Sequence, residues 1–145
     1  MKILVSACLL GINCRYCGGG NFNDAVMELV NKYDIIPVCP EQMGGLSTPR
    51  QANEILNGRV IEKNGKDNTQ AFVRGAEEVL KIAKLLNCYH AILKQRSPSC
   101  GSSIIYDGTF SSKKIVGKGI TASLLMKNQI KVVNEENIKD LFTEE

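Results

Sequence analysis

A chain of 145 residues is long enough for one compact domain with a full core and too short for two ordinary ones. Its hydrophobic share of 43% and charged share of 23% exclude a mainly disordered chain. The net charge is a mild +3, Lys and Arg are scattered and Trp is absent, so a nucleic-acid footprint of basic patch and stacking rings is not expected.

The first residues lack the charged region, long apolar stretch and small-residue cleavage site of a secretory signal, and no apolar run is long enough to span a bilayer. The expectation is a cytoplasmic protein. In that compartment disulfides are rare, and clustered cysteines mean metal binding or catalysis more often than staples.

Lys2 to Val5 is a short apolar run, the composition of a strand buried on both faces, and it stops at Ser6-Ala7-Cys8-Leu9-Leu10-Gly11. After Cys14-Arg15-Tyr16-Cys17 and Gly18-Gly19-Gly20, Asn23 or Asp24 can cap a helix running to about Lys32. Ile35 to Val38 reads as a second strand ending at Cys39-Pro40-Glu41. From Pro40 to Asn57 the text is irregular, with a short turn through Ala52 to Leu56, and is expected to be a binding loop.

Arg59 to Glu62, followed by Asn64-Gly65, reads as part of a hairpin or an edge excursion. Asp67 to Leu86 is the clearest helix, with Phe72, Ala76, Val79, Leu80, Ala83 and Leu86 at helical spacing. Cys88 to Leu93 is a third strand, leading into Ser97-Pro98-Ser99-Cys100-Gly101. Ile104 to Phe110 suggests a small hairpin turning at Asp107-Gly108. Gly119 to Asn128 reads as a helix, Ile130 to Val133 as a fourth strand and Asn134 to Phe142 as a closing helix. Strands alternating with helices in this way predict βαβ units, a mostly parallel sheet and an α/β fold.

Six cysteines need a reason, and their intervals match neither a paired zinc ribbon nor the compact ferredoxin run. Position says more. Cys8, Cys39 and Cys100 each lie just past a predicted strand, beside Gly or Pro, at the rim where open α/β sheets place their ligand crevice. Three thiolates suit a [4Fe-4S] cluster with one iron left open as a Lewis acid, and suit a catalytic zinc less well because the only histidine, His90, falls inside a strand. Cys88 lies before its strand, at the opposite rim, and reads as a small buried hydrophobe.

Other residues near these thiols carry two readings each. Glu41, two residues after Cys39, is either a general base or acid beside a metal centre or a solvated loop carboxylate. Ser97 and Ser99 could bond a substrate atom or serve only as backbone caps. Gly44-Gly45 and Ser47 to Arg50 could hold an anion or a planar amide, whereas Arg50 alone could be a surface charge. Cys14 and Cys17 are a redox pair, metal ligands or incidental thiols; a redox pair would open a helix, and this one runs into three glycines.

Taken together, Ser6 to Gly11 with Arg15-Tyr16, Val38-Cys39-Pro40-Glu41, Gly44 to Arg50, and Ser97 to Gly101 resemble a small bacterial family known as domain of unknown function 523, whose characterised members are thiouracil desulfidases of the TudS type. The similarity runs from the first strand to Gly119-Ile120-Thr121-Ala122. It implies a single Rossmann-like three-layer domain over residues 1–145 and an oxygen-sensitive [4Fe-4S] cluster on Cys8, Cys39 and Cys100. By the same motifs the catalytic glutamate falls on Glu41 and the catalytic serine on Ser97, with Ser99, Gly44, Gly45 and Arg50 expected at the substrate. The family usually has Arg-Tyr-Asp-Gly-Gly where this chain has Arg15-Tyr16-Cys17-Gly18-Gly19, which leaves open a different ligand set.

The implied reaction is redox-neutral: a thiocarbonyl sulfur meets the open iron, Glu41 activates water for attack at that carbon, Ser97 bonds the developing intermediate, and hydrosulfide and a uracil result. A small thiolated pyrimidine is the expected partner rather than RNA or a membrane. Two other classes stay open, a structural zinc module and a dithiol oxidoreductase using Cys14 and Cys17.

Overall fold

A computed structural model describes residues 1–143 of the chain. Four parallel strands form the central sheet, in the order β2-β1-β5-β8: β1 is Lys2–Ser6, β2 Asp34–Val38, β5 His90–Leu93 and β8 Lys131–Asn134. Between β2 and β5 the chain makes an antiparallel hairpin of β3 (Asn53–Leu56) and β4 (Arg59–Glu62), and before β8 another of β6 (Ile104–Tyr106) and β7 (Lys114–Val116).

The apolar runs of β1 and β5 reflect burial on both faces. Ile3, Val5 and Ile92 point into one core, while Leu4, Ala91 and Leu93 point into the other. The first core is closed by a 3-10 turn at Ala7–Leu10, by α1 (Asp24–Glu28) with its continuation Leu29–Asn31, and by a 3-10 segment at Ile138–Phe142; Leu9, Val26, Leu29 and Leu141 are its contributions. The second core is closed by α3 (Thr69–Leu85) and α4 (Ile120–Lys127) through Val79, Ala83, Ala122 and Leu125. Each of the buried Val, Leu and Ile side chains contributes about 1.5–3 kcal/mol of transfer free energy. The result is the expected α/β three-layer arrangement around a parallel sheet.

Several local readings change. The irregular stretch after Pro40 contains α2 (Pro40–Met43), with Pro40 opening the first turn, and then strand β3. The first hairpin turns at Asn57-Gly58, both at positive φ (51° and 76°), and the chain reverses again after β4 at Asn64-Gly65, where the Glu62 N–H donates to the Lys66 carbonyl at 2.7 Å and Ile61 bridges Asp67 antiparallel. The second is wider than a two-residue turn: residues 107–113 form its loop, so Thr109-Phe110 is not a strand. Asn134 ends β8, and only Ile138–Phe142 of the expected closing helix is helical, as 3-10. Among the described residues no helix is long and apolar enough to cross a membrane.

The Gly44-Gly45 pair follows α2 and packs it against α3. α2 ends on Gly44, which presses against α3 at Gly75: a Cβ on Gly44 would collide with the Ala71 carbonyl, and one on Gly75 with the Pro40 carbonyl. Arg74 Nη1 donates to the Gly44 carbonyl at 2.9 Å. The glycines let two helix backbones touch, which fixes the direction in which α2 presents its first turn.

Candidate functional site

Three adjacent strands of the sheet end at one cavity of about 370 Å³. β1 runs into the 3-10 turn that carries Cys8, closed by Gly11 in the left-handed region (φ 87°), whose N–H donates to the Cys8 carbonyl at 3.1 Å. β2 ends at Cys39, the residue before α2, so Glu41 sits in the first turn of that helix. β5 leads through Lys94-Gln95-Arg96 to the turn holding Ser97 and Cys100. Cys8, Cys39, Cys100, Glu41, Ser97 and Arg50 all line the cavity, and Cys14 adds a fourth thiol that sequence reasoning had left undecided.

All six cysteines are free thiols, and those in the cavity influence one another. Burial pushes the Cys8 thiol up, against an Asn21 Nδ2 that donates to its sulfur at 3.8 Å. Burial likewise pushes Cys100 up to about 12, opposed by a hydrogen bond from Ser6 and reinforced by Cys8, Glu41 and Cys39. Cys39 moves the other way, down to about 6, because the Cys14 thiol hydrogen-bonds it and the Gln42 N–H and Arg50 help, while burial resists. Cys14 is raised by that shared bond and by burial. Its carbonyl lies 3.7 Å from Cys39 Sγ. Cys17, by contrast, is exposed, so the Cys-x-x-Cys motif is split between cavity and solvent.

Glu41 is pushed up by burial, and its partner Arg50 only partly offsets this. Arg50 Nε donates to Glu41 Oε1 at 3.1 Å, Nη1 to the Ser47 carbonyl and Thr48 Oγ1, and Nη2 to the Cys14 carbonyl at 2.9 Å. Arg50 is therefore a buried clasp rather than a surface charge. Each of its nitrogens donates at least once, and it holds Glu41 in place while itself lining the cavity.

Ser97 and Ser99 separate clearly. Ser97 Oγ accepts from the N–H groups of Ser99 (3.0 Å) and Cys100 (2.9 Å), which fixes the turn carrying Cys100 and leaves its own hydroxyl proton for the cavity. Ser99 is fully buried and faces α4, where its hydroxyl pairs with Thr121 Oγ1 at 2.8 Å. It does not line the cavity, and neither do Gly44 and Gly45, which pack against α3.

The Cys100 turn is held from behind by residues that the sequence did not single out. Gln95 Oε1 accepts from the N–H groups of Ser102, Ser103 and Ile104 at 3.2, 3.3 and 3.2 Å, and Glu135 accepts from the Gln95 N–H at 2.7 Å while pairing with Lys94 Nζ. Their only signal was position, directly after a buried strand. Asn53, Glu54 and Lys63 of the first hairpin and Tyr106 and Phe110 of the second complete the walls. His90 opens β5 and Cys88 precedes it, the latter's Sγ 3.4 Å from the Lys2 carbonyl, so both sit at the opposite end of the sheet.

Thiols are the soft donors taken by zinc and by iron–sulfur clusters. Among the described residues no three His, Cys, Asp or Glu side chains are gathered closely enough to hold a single metal ion. A single tetrahedral ion needs its ligands around one point, whereas a cubane takes one thiolate on each of several irons and so accepts ligands spread along a rim.

A family model described as 2-thiouracil desulfurase matches residues 3–137. The uncharacterized protein YbbK of Bacillus subtilis (strain 168) is 42% identical over 97% of this chain and 99% of its own length. A solved structure of a [4Fe-4S]-dependent thiouracil desulfidase, TudS, superposes with a TM-score of 0.92 at 38% identity, covering 97% of this chain and 95% of the other.

Proposed function

The chain belongs to the 2-thiouracil desulfurase family, and from that premise we propose that it is an iron–sulfur-dependent thiouracil desulfidase, one domain over residues 1–145, working in the cytoplasm. Water replaces the sulfur of a thiolated uracil, giving uracil and hydrosulfide. One C–S bond is exchanged for one C–O bond with no net electron transfer, so neither nicotinamide nor flavin takes part. The observation that carries this reading is the meeting of Cys8, Cys39 and Cys100 in one cavity with Glu41 and Ser97.

The donor set fits the family's cofactor: Cys8, Cys39 and Cys100 are free thiols that line one cavity. Cys8, Cys39 and Cys100 would hold a [4Fe-4S] cluster, which when bound supplies a Lewis-acidic iron for a thiocarbonyl sulfur. Glu41, desolvated and held at Oε1 by Arg50, takes the proton of the attacking water. Ser97, its oxygen already accepting from two N–H donors, donates a hydrogen bond from its hydroxyl to the charge that develops on the ring. The cavity has the size of a small-molecule site and suits a thiolated pyrimidine better than RNA.

Anaerobic purification with iron, sulfide and zinc assays tests the proposal. About four iron and four sulfide per chain, with 2-thiouracil converted to uracil, is the expected result. Stoichiometric zinc without iron, or disulfide reduction that depends on Cys14 and Cys17, would replace it.

A further inference from the structure

Glu54 lies on β3, outside the central sheet, and is only 9% exposed. None of the ion pairs among the described residues includes it. A buried carboxylate with no cationic partner is costly unless hydrogen bonds replace the lost water. Here they come from one place: Glu54 Oε1 accepts from the backbone N–H of Gly108 at 3.0 Å and of Phe110 at 3.1 Å.

Both donors belong to the 107–113 loop between β6 and β7. Phe110 and Ser112 hold positive φ angles of 57° and 62°, which non-glycine residues keep only where their surroundings hold them. Gly108 is pressed so tightly on β3 that a Cβ there would meet the Ile55 carbonyl oxygen at 2.7 Å. Glu54, Tyr106, Phe110 and Ser112 all line the cavity that holds the thiols. The loop is thus a wall of the site whose backbone is tied to the other hairpin by one carboxylate.

We propose that Glu54 is a positioning residue that holds the Phe110 loop in place as the wall receiving the flat face of the substrate ring, and so sets how tightly that ring is bound. An aromatic side chain fixed against a cavity is a suitable surface for a planar heterocycle, and a loop free to swing away offers none. The identity of the ring rests on the desulfidase reading; the hold on the loop does not.

Two variants test this. In Glu54→Ala the amides of Gly108 and Phe110 should exchange with deuterium about tenfold faster, as expected from losing two bonds to a charged acceptor. In Glu54→Gln the side-chain carbonyl can still accept, and exchange should stay near that of the native protein. With the reconstituted enzyme and 2-thiouracil, Glu54→Ala should raise KM roughly tenfold with kcat within about twofold, the pattern of lost ground-state binding. Iron content should not change, Glu54→Gln should recover most of the loss, and Phe110→Ala should reproduce the KM effect even if Glu54→Ala does not fold. An active native enzyme whose KM is unmoved by Glu54→Ala or Phe110→Ala, or unchanged amide exchange in Glu54→Ala, overturns the proposal. A native enzyme inactive on 2-thiouracil overturns instead the desulfidase reading and the substrate half of this one.

Discussion

Arg50 and Glu41 form the most buried ion pair of the molecule's described residues, with side-chain exposures of 5% and 17% and 3.1 Å between Nε and Oε1. The same guanidinium fastens the Cys14 carbonyl and the Ser47-Thr48 segment, so one side chain ties three stretches of chain around the site. Removing it leaves a buried carboxylate unpaired. Arg50→Ala should cost about 3 kcal/mol of stability, read as a lower denaturant midpoint with an unchanged slope. Arg50→Lys should fall in between, because an ammonium keeps the charge but cannot span four acceptors.

Glu41 itself separates cofactor from chemistry. Glu41→Gln is nearly isosteric and can still accept from Arg50, so iron and sulfide content should match the native protein. Turnover should fall by about 10²-fold or more, the usual loss on removing a general base. Normal turnover in this variant would remove the role proposed for Glu41.

The two neighbouring serines should part in their phenotypes. Ser97→Ala strips the Cys100 turn of an acceptor for two N–H groups and costs roughly 1 kcal/mol, with kcat falling while KM holds. Ser99→Ala strands the Thr121 hydroxyl in the core and costs a similar ~1–2 kcal/mol, with kcat unchanged. A kcat loss confined to Ser99→Ala would reverse the assignment.

Cysteine replacements should divide the same way. Cys8→Ser, Cys39→Ser and Cys100→Ser each remove a soft donor from the cavity and should lower bound iron, measured against protein by colorimetric assay. Cys88→Ser, at the far end of the sheet, should keep full iron.

Gly75→Ala tests how the helices position the site. The added methyl meets the Pro40 carbonyl, and overpacking of this kind costs about 1–3 kcal/mol. Since α2 carries Glu41 and follows Cys39, iron occupancy should fall together with the melting temperature.

The sheet and its two covering helices were legible because strands buried on both faces leave unbroken apolar runs, as at Ile3-Leu4-Val5 and Ala91-Ile92-Leu93, and because α3 buries a single stripe through Phe72, Ala76, Val79 and Ala83. The thiols were legible from the ends of those strands. β3 was not, because its buried residues Asn53 and Glu54 are polar types that strands disfavour, kept there by Asn68 and by the Phe110 loop. The packing of Gly44 against α3 was not legible, because a close backbone approach looks the same in sequence whether the visitor is a ligand or a helix. Ser97 and Ser99 differ only in which way a four-residue turn points them.

The strand carrying Cys8 lies between those carrying Cys39 and Cys100, although it comes first in the chain. During synthesis the opening segment must therefore wait, flanked on one side only, until almost a hundred residues have emerged and β5 has docked beside it. No inorganic guest can be seated on three sulfurs before then, so cofactor loading waits on the docking of β5 beside β1, while β8 at the sheet's edge carries none of the three thiols.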